Sequence, residues 1–193
     1  MATCSDNKTL TADTPATVVP SGEAIVIPAG SVVTVTHRLG GNFTVTWEFG
    51  MARISGMHAA NLGEEMPDAL KKLTDDKKDD GTPPSETDLW EALKTVFDPE
   101  IPVNIVDLGL VYSLDLEPMS PTEGNQTPSG YKVWMKMTLT APGCGMGPAI
   151  AADAKERLLA VRQIKDAQVD IVWDPPWNQE MISEVGKMEL GLL

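Results

Sequence analysis

The chain has 193 residues, 42% of them hydrophobic, and a formal net charge of −13. This length suits one large or two small domains, and the charge argues against nucleic acid or an anionic membrane as partner, because both need a basic surface. No apolar run reaches the roughly 18 residues of a membrane span, and the polar first residues lack the apolar core of a signal peptide, so we expect a cytoplasmic protein.

The chain contains two cysteines, Cys4 and Cys144. Two thiolates cannot supply the four sulfur ligands of a common iron–sulfur cluster or of a four-cysteine zinc site. Any metal that this chain holds therefore needs other ligands, a second subunit or a partner protein.

The N-terminal half predicts a small β-rich unit. Residues 1–16 are polar and are expected to form a flexible leader. Residues 17–63 contain short β-branched runs, and Gly40-Gly41 between two of them predicts a hairpin. Residues 64–85 combine charge, Gly and Pro without an apolar period, which indicates a linker and a domain boundary.

The remainder, residues 86–193, predicts a compact α-β-β-α-β-α domain, and the chain as a whole an α+β protein. Ser85 and Asp88 have the spacing of a helix-capping pair, and the helix that follows should end near Asp98. The later elements follow from alternation for strands and apolar spacing for helices. They are expected at Leu110–Leu116, Tyr131–Met137, Ala149–Val161, Ala167–Trp173 and Gln179–Leu190.

A loop with two prolines and three acidic residues, Asp98, Glu100 and Asp107, precedes the first strand of this domain. Such carboxylates can supply hard oxygen ligands or a general base. Alternatively, Asp98 caps a turn and Asp107 ties down the loop backbone.

A glycine-rich loop around Cys144 joins the second strand to the next helix. Gly143, Gly145 and Gly147 allow a ligand to approach the backbone closely, and Pro148 suits a first helical turn. A helix N-terminus favours a thiolate, which is both a nucleophile and a soft metal ligand. The alternative is that Cys144 is a small buried apolar residue in a tight turn.

Trp173 and Trp177 flank the Pro175-Pro176 turn near the C-terminus. Two aromatic rings beside a rigid turn can form a wall for a partner or a cofactor. Packing of the rings on the prolines is the alternative.

Four segments, taken in order, resemble the small domain shared by PaaD, SufT and the eukaryotic cytosolic iron–sulfur targeting proteins. They are Asp98-Pro-Glu-Ile-Pro102, Val106-Asp-Leu-Gly-Leu-Val-Tyr112, Met137-Thr-Leu-Thr-Ala-Pro-Gly-Cys144 and Val172-Trp-Asp-Pro-Pro-Trp177. The β-rich half, with Leu39-Gly-Gly41 and Thr44-Val-Thr46, is similar to an N-terminal extension found in SufT. The chain is thereby identified as a member of the PaaD/SufT family.

The resemblance implies an accessory role in iron–sulfur cluster assembly or delivery. It makes Cys144 the functional residue and Asp107 its companion acid, with a cluster or iron held transiently. It also implies a fold like the C-terminal scaffold domain of NifU-type proteins, without their Cys-x-x-Cys pair. The expected partners are an assembly scaffold, client apo-proteins and a second copy of the chain. The loop residues expected to contact them are Glu100, Gly143, Gly145 and Trp177.

Three hypotheses follow. In the first, a non-enzymatic factor uses Cys144 to ligate a cluster, shared across a dimer or with a partner. In the second, a metal-free adaptor recruits clients to the assembly machinery. In the third, Cys144 is a catalytic nucleophile, which would need Asp107 or Glu100 as its base because both histidines precede the linker. We expect no enzymatic activity.

Overall fold

A six-stranded antiparallel sheet lies in the N-terminal half of the chain and a three-stranded sheet in the C-terminal half. The structure is a computed structural model that describes residues 6–68, 70–71, 83–98, 101–121, 128–142 and 145–192. No helix in these ranges is both long and apolar enough to cross a membrane.

The first sheet has the strand order β1-β4-β5-β6-β2-β3. Its strands are β1 Asp6–Thr9, β2 Thr14–Val19, β3 Ala24–Ile27, β4 Val32–Leu39, β5 Asn42–Trp47 and β6 Gly50–Ser55, and a 3-10 segment, Gly56–Leu62, follows. The predicted hairpin is confirmed, since Gly40 and Gly41 join β4 to β5 with φ of 59° and 77°. Both values lie in the left-handed region that a two-residue hairpin turn requires and glycine adopts without strain.

The prediction of a flexible leader over residues 1–16 is wrong from Asp6 onward. β1 pairs with β4 along its whole length, and the next residue, Leu10, is only 1% exposed. β1 is polar because it lies at a sheet edge, where backbone pairing rather than side-chain burial holds it in place. Residues 1–5 lie outside the described ranges.

The predicted linker, residues 64–85, is packed against the β-rich unit at its beginning. Leu70 is fully buried and lies against the backbone of Gly41 and Gly56. Glu64 pairs with Lys8 and Arg38. A single buried leucine within a charged run gives no periodic signal, which is why the linker prediction began too early. Residues 69 and 72–82 lie outside the described ranges.

The second unit contains the predicted α-β-β-α-β-α order. Its elements are α1 Glu86–Leu93, β7 Val111–Pro118, β8 Tyr131–Met137, α2 Gly147–Ala160, β9 Ile164–Ile171 and α3 Glu184–Glu189. β7 and β8 are antiparallel, whereas β8 and β9 are parallel and are connected through α2. The capping pair is confirmed, because Ser85 and Asp88 exchange hydrogen bonds between side chain and backbone.

One core holds this unit together. Leu89 and Leu93 of α1, Val133 and Met135 of β8 and Leu158 of α2 are all buried in the same cluster. Strand alternation points Trp134 and Lys136 to the opposite, exposed face of the sheet. The helices therefore cover one face of the sheet and leave its ends to the loops.

The closing helix predicted over Gln179–Leu190 is broken in two. A 3-10 turn covers Gln179–Met181, and α3 begins only at Glu184. Ser183 separates them because its backbone is extended and its side chain accepts a hydrogen bond from the Gly186 N–H at 3.0 Å, as an N-cap does.

Candidate functional site

Three of the four family-like segments meet at one end of the three-stranded sheet, where β7 begins and β8 and β9 end. The Thr138 N–H donates to the Leu110 carbonyl at 2.8 Å, and the Val172 N–H donates to the Met137 carbonyl at the same distance. These two bonds hold the entry to β7 and the exits from β8 and β9 side by side. We call this region the sheet-end site.

Asp107 anchors the C-terminal segment to this site. Its Oδ1 accepts a hydrogen bond from the Ser183 hydroxyl at 2.7 Å, and its Oδ2 accepts one from the Asn104 amide at 2.6 Å. Its carbonyl oxygen also accepts from the Ser183 N–H at 2.8 Å. Both carboxylate oxygens are thus engaged by side chains, the arrangement expected of a residue that ties down a loop.

Asn104 shapes the loop that carries Asp107. Its side-chain oxygen accepts hydrogen bonds from the backbone N–H groups of Val106 and Asp107 at 3.0 and 2.9 Å. This is the Asx-type turn in which asparagine substitutes for a backbone acceptor. The turn aims the Asp107 carboxylate at Ser183.

Trp177 is fastened to the same loop. Its indole N–H donates to the Leu108 carbonyl at 2.8 Å, and its ring packs against the core. Gly109, at φ of 69°, allows the Met181 backbone to approach, because a Cβ there would collide with the Met181 carbonyl oxygen. Trp177 therefore holds the loop in place, whereas Trp173 is 46% exposed and presents its ring to solvent.

A shallow, mainly apolar groove of about 500 Å³ lies beside these contacts. It is lined by Gly109, Val111, Tyr112, Pro175 and Met181. The Tyr112 hydroxyl donates to the Pro175 carbonyl at 2.8 Å, which closes one side of the groove. Groove and exposed Trp173 together give the sheet-end site an apolar surface.

The glycine-rich loop enters the site from β8 and leaves it as α2. Gly143 and Cys144 lie outside the described residues, so their positions stay predictions. The strand–loop–helix order around them is confirmed: α2 begins at Gly147, and Pro148 lies in its first turn. A Cβ on Gly147 would lie 2.6 Å from the Leu139 side chain, so glycine brings the helix start close to the end of β8.

No described side chain caps the start of α2. Within the described part of the chain, the N-cap residue Met146 makes no side-chain capping hydrogen bond. The first N–H groups of a helix that lack a cap favour an anion nearby. Gly145 is exposed at this position.

Of the acidic candidates, only Asp107 is shown at the site. Glu100 lies outside the described residues. Asp98 is buried, and its carbonyl accepts a hydrogen bond from the Ile101 N–H at 3.0 Å, as in a turn. Within the described ranges, no three His, Cys, Asp or Glu side chains are grouped closely enough to hold a metal ion.

Sequence reasoning missed two residues of the site. Asn104 was detectable, because asparagine in a loop commonly accepts hydrogen bonds from the backbone N–H groups that follow it and so indicates a turn. Ser183 was not, since it reaches Asp107 across 76 positions of the chain.

The comparisons with known proteins agree on the second unit. Residues 86–171 match the family described as iron-sulfur cluster assembly protein. A relative from Porphyromonas gingivalis, named Fe-S protein maturation auxiliary factor, is 38% identical over 109 residues, which are 56% of this chain and 93% of the relative. The Fe-S protein maturation auxiliary factor SufT of Staphylococcus aureus is 41% identical over 97 residues, 50% of this chain and 98% of that protein.

A crystal structure of a domain of unknown function from Bacillus anthracis is 36% identical, with a TM-score of 0.45, and the match covers 56% of this chain and 92% of that one.

The two relatives are too short to contain the β-rich unit as well. The alignments leave only 7% and 2% of their lengths unmatched, against 44% and 50% of this chain. The expected likeness of the β-rich half to an extension of SufT is therefore not found in the Staphylococcus protein. Over its second unit, the chain belongs to the family of iron–sulfur cluster assembly proteins that includes the maturation auxiliary factor SufT.

Proposed function

We propose that the chain is a non-enzymatic accessory factor that assembles iron–sulfur clusters or transfers them to client apo-proteins. The names of its relatives support this role. The observation that carries the proposal is the convergence of three family-like segments at the sheet-end site, with Cys144 in the loop that joins β8 to α2.

Cys144 is the proposed cluster ligand. It immediately precedes Gly145 and lies three residues before Gly147, the first residue of α2, and the positive end of a helix favours a thiolate nearby. Thiolates are the ligands that iron–sulfur clusters use. Because Cys144 is the one proposed thiolate ligand of the chain, the cluster is cargo, with its other ligands supplied by a second copy or a partner.

Asp107 has a different proposed role. Because Ser183 and Asn104 donate to its two oxygens, it positions the loop and the C-terminal segment rather than acting as the main ligand. The same hydrogen bonds argue against Cys144 as a catalytic nucleophile with Asp107 as its base, since a carboxylate that accepts from two donors is a poor base for a thiol. The remaining loop residues, Glu100, Gly143 and Gly145, are proposed to meet the partner that donates or accepts the cluster.

The test compares Cys144→Ala with Cys4→Ala, which removes the other thiol and serves as the matched control. Each purified variant is added to an apo-enzyme that needs a [4Fe–4S] cluster, together with an assembly scaffold, and recovered enzyme activity is measured. We expect Cys144→Ala to abolish the added recovery and Cys4→Ala to retain it, with unchanged circular dichroism in both. Full recovery with Cys144→Ala would refute the ligand role.

An adaptor without metal is the second candidate, and two observations favour it. Both Asp107 carboxylate oxygens already accept hydrogen bonds, and the groove and the exposed Trp173 offer apolar surface for a client. Client binding by Cys144→Ala, measured by calorimetry, separates the two proposals. Unchanged binding together with unchanged maturation would favour the adaptor.

A further inference from the structure

The β-rich unit is packed directly onto the start of α2. Gly22, in the turn between β2 and β3, has φ of 74°, and a Cβ there would lie 2.6 Å from the Pro148 side chain. Pro20 of the same turn faces Gly145, whose Cβ would lie 3.4 Å from the Pro20 ring. This turn therefore contacts the residues that follow Cys144 in the chain.

A buried polar cluster fastens the same helix one turn further on. Asp153 and Arg157 lie one helical turn apart on α2 and are 2% and 1% exposed. Arg53 of β6 forms an ion pair with Asp153, and the Asn42 amide of β5 donates to Asp153 at 2.8 Å. Arg157 donates to the Asn42 side chain and to the Gly40 carbonyl, the latter at 3.2 Å.

These contacts join positions at least 100 residues apart in the chain, and they converge on α2 and on Gly145 just before it. Buried charged groups need partners, because an unpaired buried charge is costly. Asp153 and the two arginines therefore have few alternative arrangements. The two shorter relatives described above have no room for most of this unit, so in this chain it is an addition to the assembly domain.

We propose that the β-rich unit is a positioning element of the sheet-end site. Its Pro20–Gly22 turn and the Arg53–Asp153 pair fix the first turns of α2, and thereby the backbone that follows Cys144. The positioning residues are Gly22, Arg53 and Asp153. An effect of the β-rich unit on cluster handling rests on the proposed role of Cys144. The mechanical claim, that the β-rich unit stabilises the first turns of α2, does not.

The mechanical claim is tested by hydrogen exchange on the full chain, with Gly22→Ala compared with Gly30→Ala. Both glycines have a positive φ, 74° and 84°, so both variants carry similar backbone strain. Only Gly22 faces α2, because nothing lies within 4 Å of a Cβ on Gly30. The matched pair thus isolates the contact with Pro148 from the strain of the turn itself.

We expect the amides of residues 150–153 to exchange at least about tenfold faster in Gly22→Ala than in Gly30→Ala, because local opening of the first turns of the helix becomes easier. The amides of β8 should agree within about twofold between the variants. Equal exchange at residues 150–153 would overturn the proposal, and so would an equal acceleration in β8, which would mark a general loss of stability.

A thiol measurement on the same variants connects the β-rich unit to the site. In a Cys4→Ser background, Cys144 is the sole thiol, and its alkylation by iodoacetamide is followed across pH. Loosening the turn against Gly145 should raise the rate at high pH at least about threefold in Gly22→Ala, with no change in Gly30→Ala. Identical rate profiles would contradict the link to the Cys144 loop.

If Gly22→Ala does not fold, Asp153→Asn replaces it, since this change keeps the side-chain shape and removes the charge that faces Arg53. Its control is Asp170→Asn, at an exposed position on β9. Because this variant also loses overall stability, the amides of residues 150–153 are compared with those of β8 within the same variant. Relative to Asp170→Asn, the amides of residues 150–153 should accelerate at least about tenfold more than those of β8, and an equal acceleration of both segments would overturn the proposal. A failure of the proposed function would appear differently, as full maturation by Cys144→Ala with the exchange results unaffected.

Discussion

At the scale of single residues, the sheet-end site depends on side chains that hold loops rather than on side chains that react. Asp107 and Trp177 each bond to a segment distant in the chain, and Asn104 shapes the loop that carries Asp107. The four-segment resemblance includes Asp107 and Trp177, and the structure places both at the sheet-end site. The hydrogen bonds of Asp107 could not be predicted from the sequence, because its partner Ser183 is distant in the chain.

Replacing Asp107 with Asn tests this positioning role. The new asparagine side chain has one oxygen where aspartate has two, so it cannot accept hydrogen bonds from Asn104 and Ser183 on separate oxygens. One half-buried donor therefore loses its partner. We expect the free energy of unfolding to fall by about 1–3 kcal/mol in urea denaturation. Asp115→Asn, at an exposed position of β7, should change it by less than about 0.5 kcal/mol. Equal stability of the two variants would show that Asp107 does not hold the loop.

At the scale of elements, a charged cluster fastens the edge of the first sheet. Lys8 of β1 and Arg38 of β4 both pair with Asp6 and with Glu64. The hydrogen bond from Arg38, followed by that from Lys8, holds the pKa of Glu64 below its ordinary value. The hydrogen bond to Glu64 raises the pKa of Arg38, and the hydrogen bonds to Asp6 and then to Glu64 raise the pKa of Lys8.

The lowered pKa of Glu64 makes its contribution to the free energy of unfolding depend on pH. A carboxyl whose pKa is lower in the folded state contributes stability that is complete above its unfolded pKa, about 4.3, and is lost as the pH falls through the folded value. Glu64→Gln should therefore cost less than about 1 kcal/mol at pH 7, and this cost should shrink as the pH falls below about 4. Glu65→Gln, at an exposed neighbour, should have no measurable effect at either pH. A pH-independent cost for Glu64→Gln would contradict this account.

Elements were predicted best where one local rule governs them. Strict alternation located β8 at Tyr131–Met137 residue for residue, and Ser85 with Asp88 marked the start of α1. Prediction failed where a tertiary contact decides the structure. β1 has no apolar face of its own, and the break at Ser183 follows from its bonds to Asp107.

At the scale of the whole molecule, the two units form one packed body through α2. This arrangement was not predicted, because Arg53 and Asp153 each look like ordinary surface charges in the sequence. A signal was nevertheless present on the helix. Asp153 and Arg157 share a face with Ile150 and Ala154, so their spacing places two charges toward the core.

The buried cluster predicts coupled unfolding. Asp153→Asn leaves Arg53 and Arg157 without their shared counter-charge in a buried site, and such a loss costs about 3–5 kcal/mol. The wild-type chain should unfold in a single transition by both tryptophan fluorescence and circular dichroism. In Asp153→Asn the midpoint should fall and the two signals should separate. An unchanged midpoint would mean that the cluster does not join the units.

The central claim, that Cys144 ligates the cluster, is tested most directly by anaerobic reconstitution with iron and sulfide. Wild type and Cys144→Ala are compared, with Cys4→Ala as control, by iron and sulfide content and by visible absorption after gel filtration. We predict that wild type and Cys4→Ala retain iron and sulfide with thiolate-to-iron absorption, while Cys144→Ala retains neither. Equal iron, sulfide and absorption in all three proteins would contradict the claim.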